Sequence, residues 1–248
     1  MQITLDEGYQ FGLGVFETVA MECGRPVFLD WHLERLLGSL KELGISGNIT
    51  EREVQEYLIS IKAGEGPQAF LDHGVLKIMV SEKNNLFTMR ENPYTPAKRR
   101  KGFRLVYSSV YRNETSPLVR HKTMNYGDCI LEKRRAASLG ADELIFRNSR
   151  GEICEGTTTN IFFVREGRLY TPPVFCGLLP GILRRFILEH FPVTECVIRA
   201  EDVPKMEECF VTNSLMGVMP VNCLGEKKFL PGEQAEACQK VYLAVQSL

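Results

Sequence analysis

With 248 residues, 44% of them hydrophobic and 25% charged, the sequence has the make-up of a globular protein with room for one large domain or two modest ones. Thirty basic against thirty-one acidic residues leave a formal charge of -1, which argues against nucleic acid or an anionic membrane surface as a partner. The eight cysteines form no Cys-x-x-Cys pair or His-x-Cys spacing, no stretch is apolar for long enough to span a bilayer, and Met1 leads straight into Gln2-Ile3-Thr4 without a leader pattern. A cytoplasmic, reduced setting without a metal centre is expected.

The alternation from Phe16 to Met21 predicts a strand, Gly24-Arg25-Pro26 a turn, and Val27-Phe28-Leu29 the start of a returning strand, so an N-terminal hairpin is expected. Asp30 is the expected cap of a helix in which Leu33, Leu36, Leu37, Leu40 and Leu43 recur at helical spacing until Gly44, with Arg35 off that stripe. A second helix is expected over about 51–63, a strand over 74–80, a polar loop, and a strand over 103–108. The basic run Lys98-Arg99-Arg100-Lys101 between loop and strand reads as a solvated rim.

Arg112 to Pro117 has the turn chemistry of a linker. The expected division is therefore a small N-terminal α/β domain over 1–113, a linker over 114–119, and a larger, mixed and β-rich C-terminal domain over 120–248. Beyond the linker a helix is expected over about 125–139, ending at Gly140, then strands over 143–146 and 161–164 flanking a turn at 148–151. Gly181 opens a helix running through Leu188, and a buried strand is expected over 207–212. The fold class is α+β, in two mixed domains.

Three chemical groups stand out in this order. Lys122 precedes a helix start, with Arg120 and His121 as sources of positive charge that would ease loss of its proton. Glu155 stands ahead of small hydroxyl residues and the apolar Ile161-Phe162-Phe163; facing a pyridinium nitrogen at about 4 Å it would contribute on the order of 4 kcal/mol at an effective dielectric near 20. Leu179-Pro180-Gly181-Ile182 leads into a helix whose first N–H groups attract anions, and Thr212-Asn213-Ser214 adds hydroxyl and amide donors on a loop. An amine for an aldehyde, a carboxylate for a ring nitrogen and a cation such as Arg35 for a phosphate are what pyridoxal 5'-phosphate needs.

The order Arg35, Lys122, Glu155, Gly181-Ile182, Ser214, with Asp6 to Thr18 at the start and Asn160-Ile161-Phe162 in the middle, resembles the class IV aminotransferase family, fold type IV of the pyridoxal phosphate enzymes, over nearly the whole chain. The resemblance implies a D-amino-acid-aminotransferase-like, two-domain fold and a homodimer. It also implies that Lys122 is the Schiff-base lysine and catalytic base, that Glu155 partners the ring nitrogen, and that Arg35, Gly181, Ile182 and Ser214 line the phosphate. Leu183 stands where many branched-chain transaminases have threonine.

The segment from Asn213 to Val221 is similar to that of the family's aminodeoxychorismate lyases. This implies elimination of pyruvate from 4-amino-4-deoxychorismate to give 4-aminobenzoate, a step of folate biosynthesis, with Thr18 acting near the leaving group. The alternatives are a transaminase of branched-chain or D-amino acids with 2-oxoglutarate, and a cofactor-binding protein without turnover. The Arg-x-His pair of D-amino-acid transaminases has no counterpart after Val80, where Ser81-Glu82-Lys83 follows; Lys83 and Arg90 lie in the region expected to meet substrate carboxylates.

Overall fold

A computed structural model describes residues 2–230 and 232–246. The chain is an α+β protein of two compact units. Unit 1 comprises Met1–Pro93 and His121–Tyr126, and unit 2 comprises Tyr94–Arg120 and Gly127–Leu248. Among the described residues no helix is long and apolar enough to cross a membrane.

Unit 1 contains α1 (Glu7–Phe11), β1 (Val15–Glu22), β2 (Arg25–Pro26), α2 (Leu29–Glu42), α3 (Glu51–Ser60), β3 (His73–Val80) and β4 (Asn85–Glu91). The strands form one antiparallel sheet in the order β2-β1-β3-β4. Strand alternation sends Val15, Val19 and Met21 of β1 to the same core as Leu29, Leu33, Leu36 and Leu40 of α2, joined by Leu76, Ile78 and Val80 of β3. The expected hairpin is cut short. Only Arg25 and Pro26 pair with β1, because Phe28 takes a left-handed φ of 51° and the chain turns at once into α2. Phe28, not Asp30, occupies the N-cap and supplies no side-chain bond, while Asp30 lies in the first turn, where its charge suits the helix dipole. Residues 85–91, expected to be loop, form the edge strand β4.

The polar start of the chain is held by one carboxylate. Asp6 caps α1 through Tyr9 N–H (3.1 Å) and also accepts from Ser81 Oγ (2.6 Å), Lys83 N–H (3.0 Å) and Asn84 Nδ2 (2.9 Å), which binds α1 to the β3–β4 turn.

Unit 2 contains α4 (Pro96–Lys101), β5 (Phe103–Arg112), α5 (Gly127–Ser138), β6 (Glu143–Asn148), β7 (Ile153–Gly156), β8 (Asn160–Arg165), β9 (Arg168–Thr171), α6 (Ile182–His190), β10 (Val193–Glu195), β11 (Glu208–Asn213), β12 (Gly217–Leu224), β13 (Lys227–Lys228) and α7 (Glu233–Gln246). The basic run forms the short α4, started by the Thr95 side chain. The sheet runs β10-β9-β8-β11-β12-β5-β6-β7, with β13 on β12; β10/β9, β12/β5 and β5/β6 are parallel and the other pairs antiparallel. β5 pairs with β6 and β12, so residues 94–112 fold with the larger unit although the sequence reading assigned them to the smaller domain. Lys122 in turn falls in unit 1, because residues 121–126 pair with β1.

The run Ile161-Phe162-Phe163-Val164 is buried on both faces, as a central strand demands. Phe163 and Ile161 join Val211, Met219 and Val221 on one side, while Phe162 stacks on Phe210 with ring centroids 5.1 Å apart. Phe162→Ala removes that ring pair from a site without solvent access. It is expected to cost about 3–5 kcal/mol of stability, read from chemical denaturation of the full chain.

Candidate active site

Lys122 is placed by backbone pairing. Residues 122–124 run antiparallel to the start of β1, with Phe16 N–H donating to Lys122 O (2.8 Å), Met124 N–H donating to Gly14 O (2.8 Å), and Val15 opposite Thr123. Gly14 permits this approach, since a Cβ there would lie 2.7 Å from Met124 Sδ. Thr123 is buried with Val15, and Lys122 falls on the Phe16 side of the strand. Its Nζ lies 4.4 Å from the Phe16 ring centroid and 4.9 Å from that of Tyr126, and the two rings meet edge to face at 5.2 Å. The two aromatic faces form a wall against which the amine is held. The ring of His121 is engaged by α2: its Nδ1 meets Ser39 Oγ (3.0 Å) and its Nε2 faces Glu42 (3.4 Å).

Thr18, two residues along β1 from Phe16, is paired with Lys77 of β3, a residue the sequence reading passed over. Lys77 Nζ sits 4.8 Å from the same Phe16 ring, half-buried, and its ammonium is pushed below the ordinary lysine value by burial and by Arg90. Arg90 faces Val75, two residues from Lys77, so Thr18, Lys77 and Arg90 share one face of the sheet. Lys83 is instead exposed in the β3–β4 turn, where its backbone N–H serves Asp6. Nothing in the spacing of Lys77 marks it in the sequence; the pairing of β3 with β1 does.

The opposite face of β1 carries Glu17. It is 1% exposed and accepts from Arg35 Nε (2.7 Å), Arg35 Nη2 (2.6 Å) and His32 Nδ1 (2.6 Å). Burial alone would raise its pKa, but the Arg35 charge and then His32 bring it down to about 2. Arg35 is therefore clamped in place on α2 by a strand residue.

Unit 2 holds the acid. Glu155, on β7, is buried; Arg112 Nη2 donates to its Oε1 (2.8 Å) and Leu179 N–H to its Oε2 (3.1 Å). Arg112, read as the start of a linker, is the last residue of β5; it also reaches Cys129 Sγ (3.0 Å) and lies over the Phe146 ring, 4.3 Å from its centroid. Leu179 belongs to the turn into α6. Asn160 Nδ2 donates to Leu179 O (2.9 Å), and Gly181 caps the helix so close to Asn160 that a Cβ would lie 2.0 Å from Asn160 Oδ1. Ile182 opens the helix with its N–H toward the N-terminal end. Thr212 is paired with Asn160 and both Thr212 Oγ1 and Thr159 Oγ1 are buried without a hydrogen-bond partner among the described residues. Ser214 lies half-buried in the turn beyond β11; Asn213 accepts from Leu215 N–H and Met216 N–H at 3.0 Å each within that turn and donates through Nδ2 to Thr158 O (3.3 Å).

Each unit by itself carries groups that suit a phosphorylated pyridine aldehyde. Unit 1 offers an amine on an aromatic wall and a fixed guanidinium. Unit 2 offers a buried carboxylate, a helix N-terminus and two buried hydroxyls without a hydrogen-bond partner among the described residues.

The family profile described as amino-transferase class IV matches residues 14–223. The chain belongs to the class IV aminotransferase family, whose members depend on pyridoxal phosphate. It is similar to the aminodeoxychorismate lyase of Bacillus subtilis, at 29% identity over 96% of this chain and 87% of that protein. It is also similar to a D-alanine aminotransferase of Bacillus licheniformis, at 25% identity over 98% and 89% of the two chains. Among solved structures, a candidate 4-amino-4-deoxychorismate lyase of Legionella pneumophila superposes with a TM-score of 0.88 at 27% identity, covering 100% of this chain and 96% of the other.

The Glu17 cluster generates a prediction in two parts. Glu17→Gln leaves three donors, two on Arg35 and one on His32, without their anion and is expected to cost about 3–5 kcal/mol near neutral pH. Because the folded carboxyl is depressed from the ordinary 4.5 to about 2, the wild-type advantage is complete above 4.5 and shrinks as pH falls toward 2. Denaturation curves of both chains across that range measure the gap.

Proposed function

We propose that the chain is a pyridoxal-phosphate-dependent lyase that converts 4-amino-4-deoxychorismate to 4-aminobenzoate and pyruvate. The observation that carries this reading is the sheet face shared by Thr18, Lys77 and Arg90 beside the Lys122 amine. Two cations and a hydroxyl on one rigid surface suit a substrate with two carboxylates and an ether leaving group.

When bound, pyridoxal phosphate supplies an electron sink for a bond broken next to the substrate nitrogen. Lys122 Nζ would hold the aldehyde end and, once displaced by the substrate's ring amine, take the proton from ring C4. Glu155 would face the ring nitrogen, kept anionic and fixed by Arg112 and Leu179 N–H. Arg35, the N–H groups around Gly181 and Ile182, and Ser214 would hold the phosphate. Lys77 and Arg90 would bind carboxylates, and the Thr18 hydroxyl would donate toward the departing enolpyruvyl oxygen. Lys83, in the exposed turn, is not assigned a role.

Transamination of D-amino acids with 2-oxoglutarate is the second reading, favoured by the Bacillus licheniformis relative. Supplying the purified chain with pyridoxal phosphate and 4-amino-4-deoxychorismate alone separates the two. The lyase releases equal amounts of 4-aminobenzoate and pyruvate without an added keto acid; turnover only with D-alanine and 2-oxoglutarate sinks the lyase reading. Lys122→Ala is expected to lower product formation by about 10³-fold or more and to abolish borohydride-fixed cofactor in the mass spectrum. Lys77→Ala is expected to raise KM at least about tenfold, the loss of one charge-assisted contact, with a smaller change in kcat.

A further inference from the structure

The Glu17 cluster contains one polar atom that neither the packing nor the proposed reaction uses. An ionised carboxylate only accepts hydrogen bonds, so the 2.6 Å contact from His32 Nδ1 to Glu17 Oε2 means that Nδ1 carries the hydrogen. In the neutral ring Nε2 then carries a lone pair. This Nε2 is enclosed and has no hydrogen-bond partner among the described residues, and the His32 side chain is 1% exposed.

Three charges face the ring, each from a different element. Glu17 on β1 favours the imidazolium; Arg35 on α2 and Lys122 on the segment beside β1 oppose it. Burial opposes it most, so His32 lies below its ordinary value and is neutral near pH 7. Arg35 and His32 share one carboxylate, so a change of charge at the guanidinium acts on the imidazole through their common partner. A doubly negative group there reverses the balance of charge around the ring.

We propose that His32 takes up a proton at Nε2 when a phosphate monoester dianion docks on Arg35, turning a bare acceptor into an N–H donor. The proton comes from solvent and is returned when the phosphate leaves. Glu17 acts as the orienting base on the far nitrogen throughout, and His32 is a proton-coupled anchor, separate from the amine that performs the chemistry. The free form binds fewer protons than the loaded form, so between the two titration points phosphate binding draws in a proton.

The inference rests on the proposed role of Arg35, and the test separates the two. The full-length chain freed of cofactor is titrated calorimetrically with pyridoxamine 5'-phosphate, which has no aldehyde and leaves Lys122 unmodified. The titration is run at about pH 7.5, where phosphate monoesters are already largely dianionic, in two buffers of different ionisation enthalpy. Histidine ¹⁵N spectra are recorded with and without ligand. The expected result is uptake of about one proton per site, with one of the four imidazoles passing from the neutral Nδ1–H form to the imidazolium. His32→Gln is expected to bind the ligand with that uptake gone. Tight binding without proton uptake, or with every imidazole unchanged, overturns the inference and leaves the proposed function standing. Failure of the wild-type chain to bind overturns both. The wild-type spectra need no variant, so a His32→Gln chain that does not fold leaves the outcome readable.

Discussion

A charged carboxylate enclosed between a strand and a leucine-rich helix is the constraint around which the smaller unit is organised. Glu17 occupies a strand position whose neighbours on the same face, Val15 and Val19, are apolar core residues, and an isolated charge there would not survive desolvation. Three donors from one turn of α2 make it tolerable. The same bonds set the rotation and the register of the helix against the strand, because sliding α2 by one turn would strand the anion. A side chain with five donors and considerable freedom is reduced to a fixed cation, which is the condition for recognising an anion without first ordering a loop.

The larger unit repeats this logic with different pieces. Glu155 is held by a strand-end arginine and a backbone amide rather than left to find its own orientation. A carboxylate so fixed has both oxygens engaged and a set orientation. Asn160 supports the same region from the strand side, keeping the turn before α6 tight enough that only glycine fits at its last residue.

Where the chemistry follows local patterns, it was readable. The leucines of α2, the alternation of β1, the Gly181 helix entry and the apolar run of β8 all carry their periods in the residues themselves. The family resemblance, rather than a local period, singled out Lys122, Glu155 and Arg35 as candidates. The omissions share a cause: each depends on a partner distant in the chain. β4 has a polar and half-exposed sequence that becomes a strand only by pairing with β3. Lys77 gains meaning from Thr18, fifty-nine residues earlier, and Arg112 from Glu155, forty-three residues later. His32 goes unremarked in the sequence, because its enclosed nitrogen is visible only in three dimensions. The boundary between units escaped for the same reason, since β5 is recruited by strands beyond position 140.

The short passage 121–126 has a consequence for how the protein can be divided. It leaves the larger unit, lies along the edge of β1 and returns, so the smaller unit has no continuous chain of its own. Without that passage the backbone groups at Gly14 and Phe16 would form an open strand edge, the kind of surface that recruits other chains. The residue proposed to do the chemistry thus rides on the strip that seals the sheet. A gene fragment cut between the units therefore splits the smaller one, and recombination between relatives has to exchange both of its stretches or neither.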